Sequence, residues 1–170
     1  MKSFRVGLNA HLLSQSQSYR RAGVSRYIRG LLDYLPLVDP AFDFHAYLGQ
    51  NHDSFPGWTA HRAADWTAVH PVGRIFWEQT ALPCQTRRDR LDLLHVPVNI
   101  APLSHHGALV ATIHDLTFMR FPDTFKPERR FYQTQLARAT ARRADKSSQG
   151  LAIAIMISSN CLAYRQNASF

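Results

Sequence analysis

Val24, Tyr27, Ile28, Leu31, Leu32 and Leu35 recur at the i, i+3, i+4, i+7, i+8, i+11 spacing of one helix face, and no other periodicity in the chain is as strong. Pro36 follows and predicts the end of that helix. On one side of the stripe, residues 4–9 alternate apolar and other side chains and read as a strand beginning almost at the first residue. On the other side, Phe42, Phe44, Ala46 and Leu48 alternate with Asp43, His45 and Tyr47, a second strand by period two. A helix with one apolar face must bury it, and two flanking strands give it a sheet to lie on.

The rest of the chain repeats this alternation. Residues 50–57 read as a loop, and residues 66–69 as a short third strand in which Trp66 equally suits a core plug. Residues 74–82 form a helix before Pro83, with Phe76 and Trp77 packed and Glu78 expected in solvent. A strand over 91–96 is stopped by Pro97 and leaves His95 and Asn99 at its end. Residues 108–113 are aliphatic and β-branched and read as a strand buried on both faces. Pro127 suits the first turn of a helix running to about residue 145, with Arg138, Arg142, Arg143 and Lys146 toward its negative end. The expected fold class is α/β: a Rossmann-like parallel sheet flanked by helices.

Two places in that pattern carry chemistry. The 108–113 strand breaks off at His114-Asp115, and ligands of open α/β sheets bind beyond the carboxyl ends of the strands. The same residues also suit a structural hydrogen bond and a turn cap. The second place is the passage from strand to helix through Ala22-Gly23-Val24. A glycine there lets a ligand approach the backbone, and the free amides of the helix start favour an anion, with Arg20, Arg21 and Arg26 adding charge. The GxGxxG dinucleotide fingerprint is absent, and relaxation of a tight turn is the competing role for Gly23.

Composition narrows the partners. Twenty Lys and Arg against twelve Asp and Glu give a net charge of +8, which attracts anions of any kind. The arginine pairs are scattered, with no basic run of the sort that binds nucleic acid, so no nucleic acid is expected. Cys84 and Cys161 lie far apart and indicate neither a zinc site nor a disulfide. No Asp-x-Asp pair occurs, so no metal-held diphosphate is expected. The amino terminus lacks a signal-peptide pattern and the apolar run at residues 151–157 is too short for a bilayer. The expectation is a cytoplasmic protein.

Taken together, Ala22-Gly-Val-Ser-Arg-Tyr-Ile28, Arg74-Ile-Phe-Trp-Glu-Gln-Thr-Ala-Leu-Pro83, Asp92-Leu-Leu-His-Val-Pro97 and Thr112-Ile-His-Asp-Leu116 followed by Phe121-Pro122 resemble, in order and spacing, the amino-terminal domain of family 4-like glycosyltransferases. The resemblance covers residues 4–145 and includes the closing Ala-Arg-Arg-Ala-Asp145. It implies half of a GT-B fold, in which two Rossmann-like domains face each other across a cleft, the first holding the acceptor and the second the sugar nucleotide. It further implies that Ala22, Gly23 and Val24 approach the donor diphosphate, with Ala22 standing where the family commonly has a second glycine. His114 would lie at the reacting sugar, and Asp115, Glu78 and Asn99 would supply surrounding hydrogen bonds. Transfer in this group typically retains anomeric configuration without metal or other cofactor.

The implied function is transfer of mannose or another hexose from a nucleotide sugar to a polysaccharide or glycolipid acceptor. Peripheral contact with the inner membrane face is compatible with a lipid-linked acceptor. The likeness stops after Asp145. Residues 146–170 form a divergent tail in which residues 151–159 suit one further strand, so a truncated or frame-shifted chain without the donor domain is expected, inactive by itself. A non-catalytic carbohydrate-binding fragment is the alternative.

Overall fold

The computed structural model describes residues 3–13, 22–49, 54–63, 71–114, 116–120 and 127–147. In chain order they form β1 (Arg5–Ala10), α1 (Ala22–Val38), β2 (Asp43–Leu48), β3 (Trp58–Arg62), α2 (Pro71–Gln79), α3 (Ala81–Arg88), β4 (Leu93–Val96), β5 (Ala108–Ala111), α4 (Thr117–Arg120) and α5 (Pro127–Ser147). The strands make one five-stranded sheet in the order β3-β2-β1-β4-β5, with every pairing parallel. The α/β, Rossmann-like expectation holds.

Alternation along the strands explains why both faces are covered. Leu8, Ala10, Phe44, Ala46 and Leu48 join Ile28 and Leu32 of α1 in one core. The intervening face carries Tyr47, Leu94, Val96 and Leu109 against Trp77 of α2 and Leu82 of α3. Period two in β2 therefore marks two buried sides rather than one wet side, and His45 and Tyr47 are buried with the rest. In the central strand, a Cβ on Gly7 would collide with Leu91 Cδ1, so the close packing of the Leu91, Tyr47 and Leu94 side chains over β1 depends on the missing side chain.

Two expectations about helix limits need correction, and one strand was not foreseen. Pro36 does not end α1 but lies inside it. A proline cannot donate to the carbonyl four residues back, which here belongs to Leu32. Trp58 Nε1–H donates to that carbonyl at 2.8 Å instead, so the freed acceptor is satisfied from β3 and the helix continues. Next, β3 is Trp58–Arg62, beyond the loop predicted at 50–57, whereas the strand predicted at 66–69 lies outside the described residues. Finally, the helix expected to stop before Pro83 is two helices, with Pro83 in the first turn of α3 where its missing amide costs nothing. Thr80 marks the joint, its Oγ1–H donating to the Phe76 carbonyl at 2.7 Å. The predicted strand at 151–159 also lies outside the described residues.

The Trp58 bond gives a direct test. Trp58→Phe keeps an aromatic ring but leaves the Leu32 carbonyl without its donor, and is expected to cost about 1–3 kcal/mol. A urea midpoint equal to that of the parent protein would show that the carbonyl finds another donor.

Candidate functional site

A parallel sheet brings the carboxyl ends of all its strands to one rim. The order β3-β2-β1-β4-β5 places the switch of direction between β1 and β4, where the crevice of such a sheet opens. Two groups of polar side chains collect at this boundary, one on each face of the sheet.

The first group lies on the α1 side. Register pairs His95 with Leu8, which belongs to the core under α1. Tyr27, one helical turn beyond Gly23, meets the His95 ring edge-on at 6.3 Å and the His114 ring at 5.2 Å. Thr112 Oγ1 joins them, 2.9 Å from His95 Nε2 and 3.3 Å from the Tyr27 hydroxyl. Asn99 Oδ1 accepts the backbone N–H of His114 at 3.2 Å. Burial, reinforced by the neighbouring His114, holds the His95 imidazole down at about 4, so this ring is neutral at ordinary pH.

The tautomer of His114 follows from its partner. Its Nε2 lies 3.0 Å from the Pro97 carbonyl oxygen, which can only accept, so Nε2 carries the hydrogen. In the neutral ring Nδ1 is then the acceptor, able to receive a hydrogen bond from a ligand hydroxyl. Tyr27, which meets this ring, lies one turn beyond the start of α1, whose first turn holds no acidic residue, and among the described residues nothing would lie within 4 Å of a Cβ added at Gly23. Val24 differs from Gly23: its side chain packs into the core, leaving only its backbone for a ligand.

The second group lies on the α2 side, at the end of β1. Asn9 Oδ1 accepts the His11 backbone N–H at 3.3 Å, and its Nδ2 donates to Glu78 Oε1 at 3.3 Å. The expectation that Glu78 is solvated is wrong: it is 1% exposed. Its other oxygen makes no hydrogen bond among the described residues and lies 4.0 Å from Arg74 Nε. Burial raises the Glu78 carboxyl pKa, with the Arg74 charge and the Asn9 hydrogen bond pulling the other way. His11 rests 5.0 Å from the Trp77 ring and is lowered to about 4, chiefly by burial and then by Arg74.

The structure thus brings His114 and Asn99 together and sets His114 against Tyr27, one helical turn beyond Gly23, while Glu78 lies in a separate cluster. The side chain of Ala22, together with Asp115, Arg20 and Arg21, lies outside the described residues. Sequence reasoning missed Tyr27, which counts as one of the apolar stripe. It also missed Thr112, Asn9 and His11. The i, i+4 spacing of Gly23 and Tyr27 was the available signal.

A third cluster is not foreshadowed by any spacing in the chain. His45, His61 and Asp89 offer ligand atoms within 4.8 Å of one another. Compared with known proteins, the chain matches no family model and no curated protein.

Proposed function

We propose that this domain is the acceptor-side half of a GT-B glycosyltransferase, moving a hexosyl group from a nucleotide sugar to a polysaccharide or glycolipid acceptor at the cytoplasmic membrane face. The observation that carries the reading is the contact of Tyr27 with His114, because it ties the start of α1 to the end of β5. The two chemical needs of sugar transfer meet there. A departing nucleoside diphosphate needs positive potential, which the amides of the α1 start would supply at Gly23, with no acidic residue in the first turn of that helix. A sugar hydroxyl needs a fixed acceptor, which His114 Nδ1 supplies while Pro97 and Asn99 hold the residue in place.

Among the described residues, no helix is long and apolar enough to cross a membrane. The reading therefore places the domain at the membrane surface by charge, with +8 overall facing anionic lipid or a diphosphate-linked acceptor.

Gly23→Ala separates ligand approach from folding. Gly23 is exposed within a helix and its Cβ position is open, so alanine is expected to stabilise the fold by about 0.5–1 kcal/mol. The same methyl blocks the close approach of a phosphate, so affinity for a uridine or guanosine diphosphate sugar in calorimetric titration is expected to fall by about tenfold. Undiminished binding in a stabilised variant would remove Gly23 from the site, and no nucleotide-sugar binding by the parent chain would count against the transferase reading.

A further inference from the structure

The sheet register that pairs Tyr47 with His61 brings His45 of β2 diagonally against His61 of the edge strand β3. His45 Nδ1 lies 2.9 Å from His61 Nε2, with the ring planes 18° apart. The outer nitrogen of each ring faces a carboxylate: His45 Nε2 is 3.3 Å from Asp43 Oδ2, and His61 Nδ1 is 3.6 Å from Asp89 Oδ2. Tyr47 lies against His61 at 4.8 Å and its hydroxyl donates to Asp89 Oδ2 at 2.7 Å, fixing that carboxylate.

Counting hydrogens exposes a deficit. The line Asp43–His45–His61–Asp89 has three contacts, each of which needs one ring hydrogen, and two neutral imidazoles carry only two. With both rings neutral one contact goes without, and among the described residues His45 Nε2 is buried with no hydrogen-bond partner. A cation between the two rings removes the deficit. It takes both inner lone pairs, so each ring places its one hydrogen on the outer nitrogen, pointing at a carboxylate. Carboxylate, imidazole, metal is the order in which protein metal sites orient their histidines.

We infer that His45 Nδ1 and His61 Nε2 form a binding site for a borderline divalent transition metal such as zinc, with Asp43 and Asp89 orienting the two rings. Two imidazole nitrogens bonded to zinc at about 2.0–2.1 Å in tetrahedral geometry stand roughly 3.4 Å apart, so the inner nitrogens must separate by only a few tenths of an ångström. His61 can supply that movement because it is part-exposed on an edge strand. The same exposure leaves the remaining coordination positions to water or an external ligand. Nitrogen ligands favour zinc, nickel or copper over magnesium and calcium. The site is independent of the transferase reading, because it involves neither the α1 start nor His114.

The test is equilibrium dialysis and calorimetry of the full chain with zinc chloride, and with magnesium chloride as the contrasting ion. Parent protein and the exposed-histidine control His106→Ala are expected to bind one zinc tightly, with a rise in Tm, and no magnesium. His61→Ala and His61→Gln are expected to lose at least tenfold in zinc affinity and to lose the Tm rise. The glutamine variant keeps a hydrogen-bonding group beside His45 and guards against a folding defect. Zinc affinity in a folded His61→Gln equal to that of the parent would overturn the site, as would failure of the parent to bind zinc.

Discussion

On the transferase reading, replacing the counterpart of His114 by alanine in a full-length relative that carries both domains is expected to lower the rate of hexosyl transfer about a hundredfold, equivalent to about 2.7 kcal/mol at the transition state, while leaving the fold in place. The imidazole holds one backbone carbonyl, that of Pro97, and is only partly buried. Its loss leaves that buried carbonyl without its donor and therefore costs about 1–3 kcal/mol of stability. What it removes is the Nδ1 acceptor beside the start of α1. If that acceptor orients a hydroxyl in the transition state, kcat falls and KM for the nucleotide sugar stays within a few-fold. Initial rates of the two-domain relative with radiolabelled nucleotide sugar, alongside thermal melts of this chain, separate these terms. A rate within threefold of the parent would take His114 out of the chemistry.

The second large effect is on acid stability. His95 is held near 4 in the fold, below its ordinary value of 6.5, because charging it in its buried place is unfavourable. The unfolded chain takes up this proton first as the pH falls, so folding stability declines between pH 6.5 and about 4 and is offset by a constant amount below that. From this ring alone the decline is roughly 3 kcal/mol. His11 and His105, each also lowered to about 4, act in the same direction. Glu78 acts in the opposite one, since its raised pKa makes the folded protein the better proton acceptor over its own range. His95→Gln isolates the first term, because an amide keeps a polar contact with Thr112 and does not titrate. Urea midpoints from pH 7 to pH 4 should fall less steeply in this variant than in the parent. Parallel curves would mean that His95 is charged in the native state.

Most of the architecture could be read from periodicity. The stripe from Val24 to Leu35 and the apolar runs at β1, β2, β4 and β5 all formed the elements they suggested, because each buries what its period displays. β3 escaped because its only fully buried side chain is Trp58, while Thr59, Ala60 and Arg62 face outward and leave no alternation to detect. Pro36 misled because a breaker acts through its unmet carbonyl, and the partner that meets it arrives from another strand. Glu78 misled for a similar reason, since helix spacing does not reveal that Asn9 waits at the end of β1. That His114 and Asn99 follow strands and that Gly23 opens a helix could be read because strand ends and helix starts can be located locally. The His45–His61 pair depends on register between strands, which local spacing does not encode.

The middle position of β1 also sets the order in which the domain can be assembled on the ribosome. Its first residue exchanges hydrogen bonds with Asp92, 87 residues later, through both the Arg5 amide and its carbonyl. The nascent chain can pair β1 with β2 early, but the other flank of the oldest strand stays uncovered until β4 emerges. That interval leaves the unpaired N–H and C=O groups of one flank of β1 open during synthesis, where non-native strand pairing competes with folding.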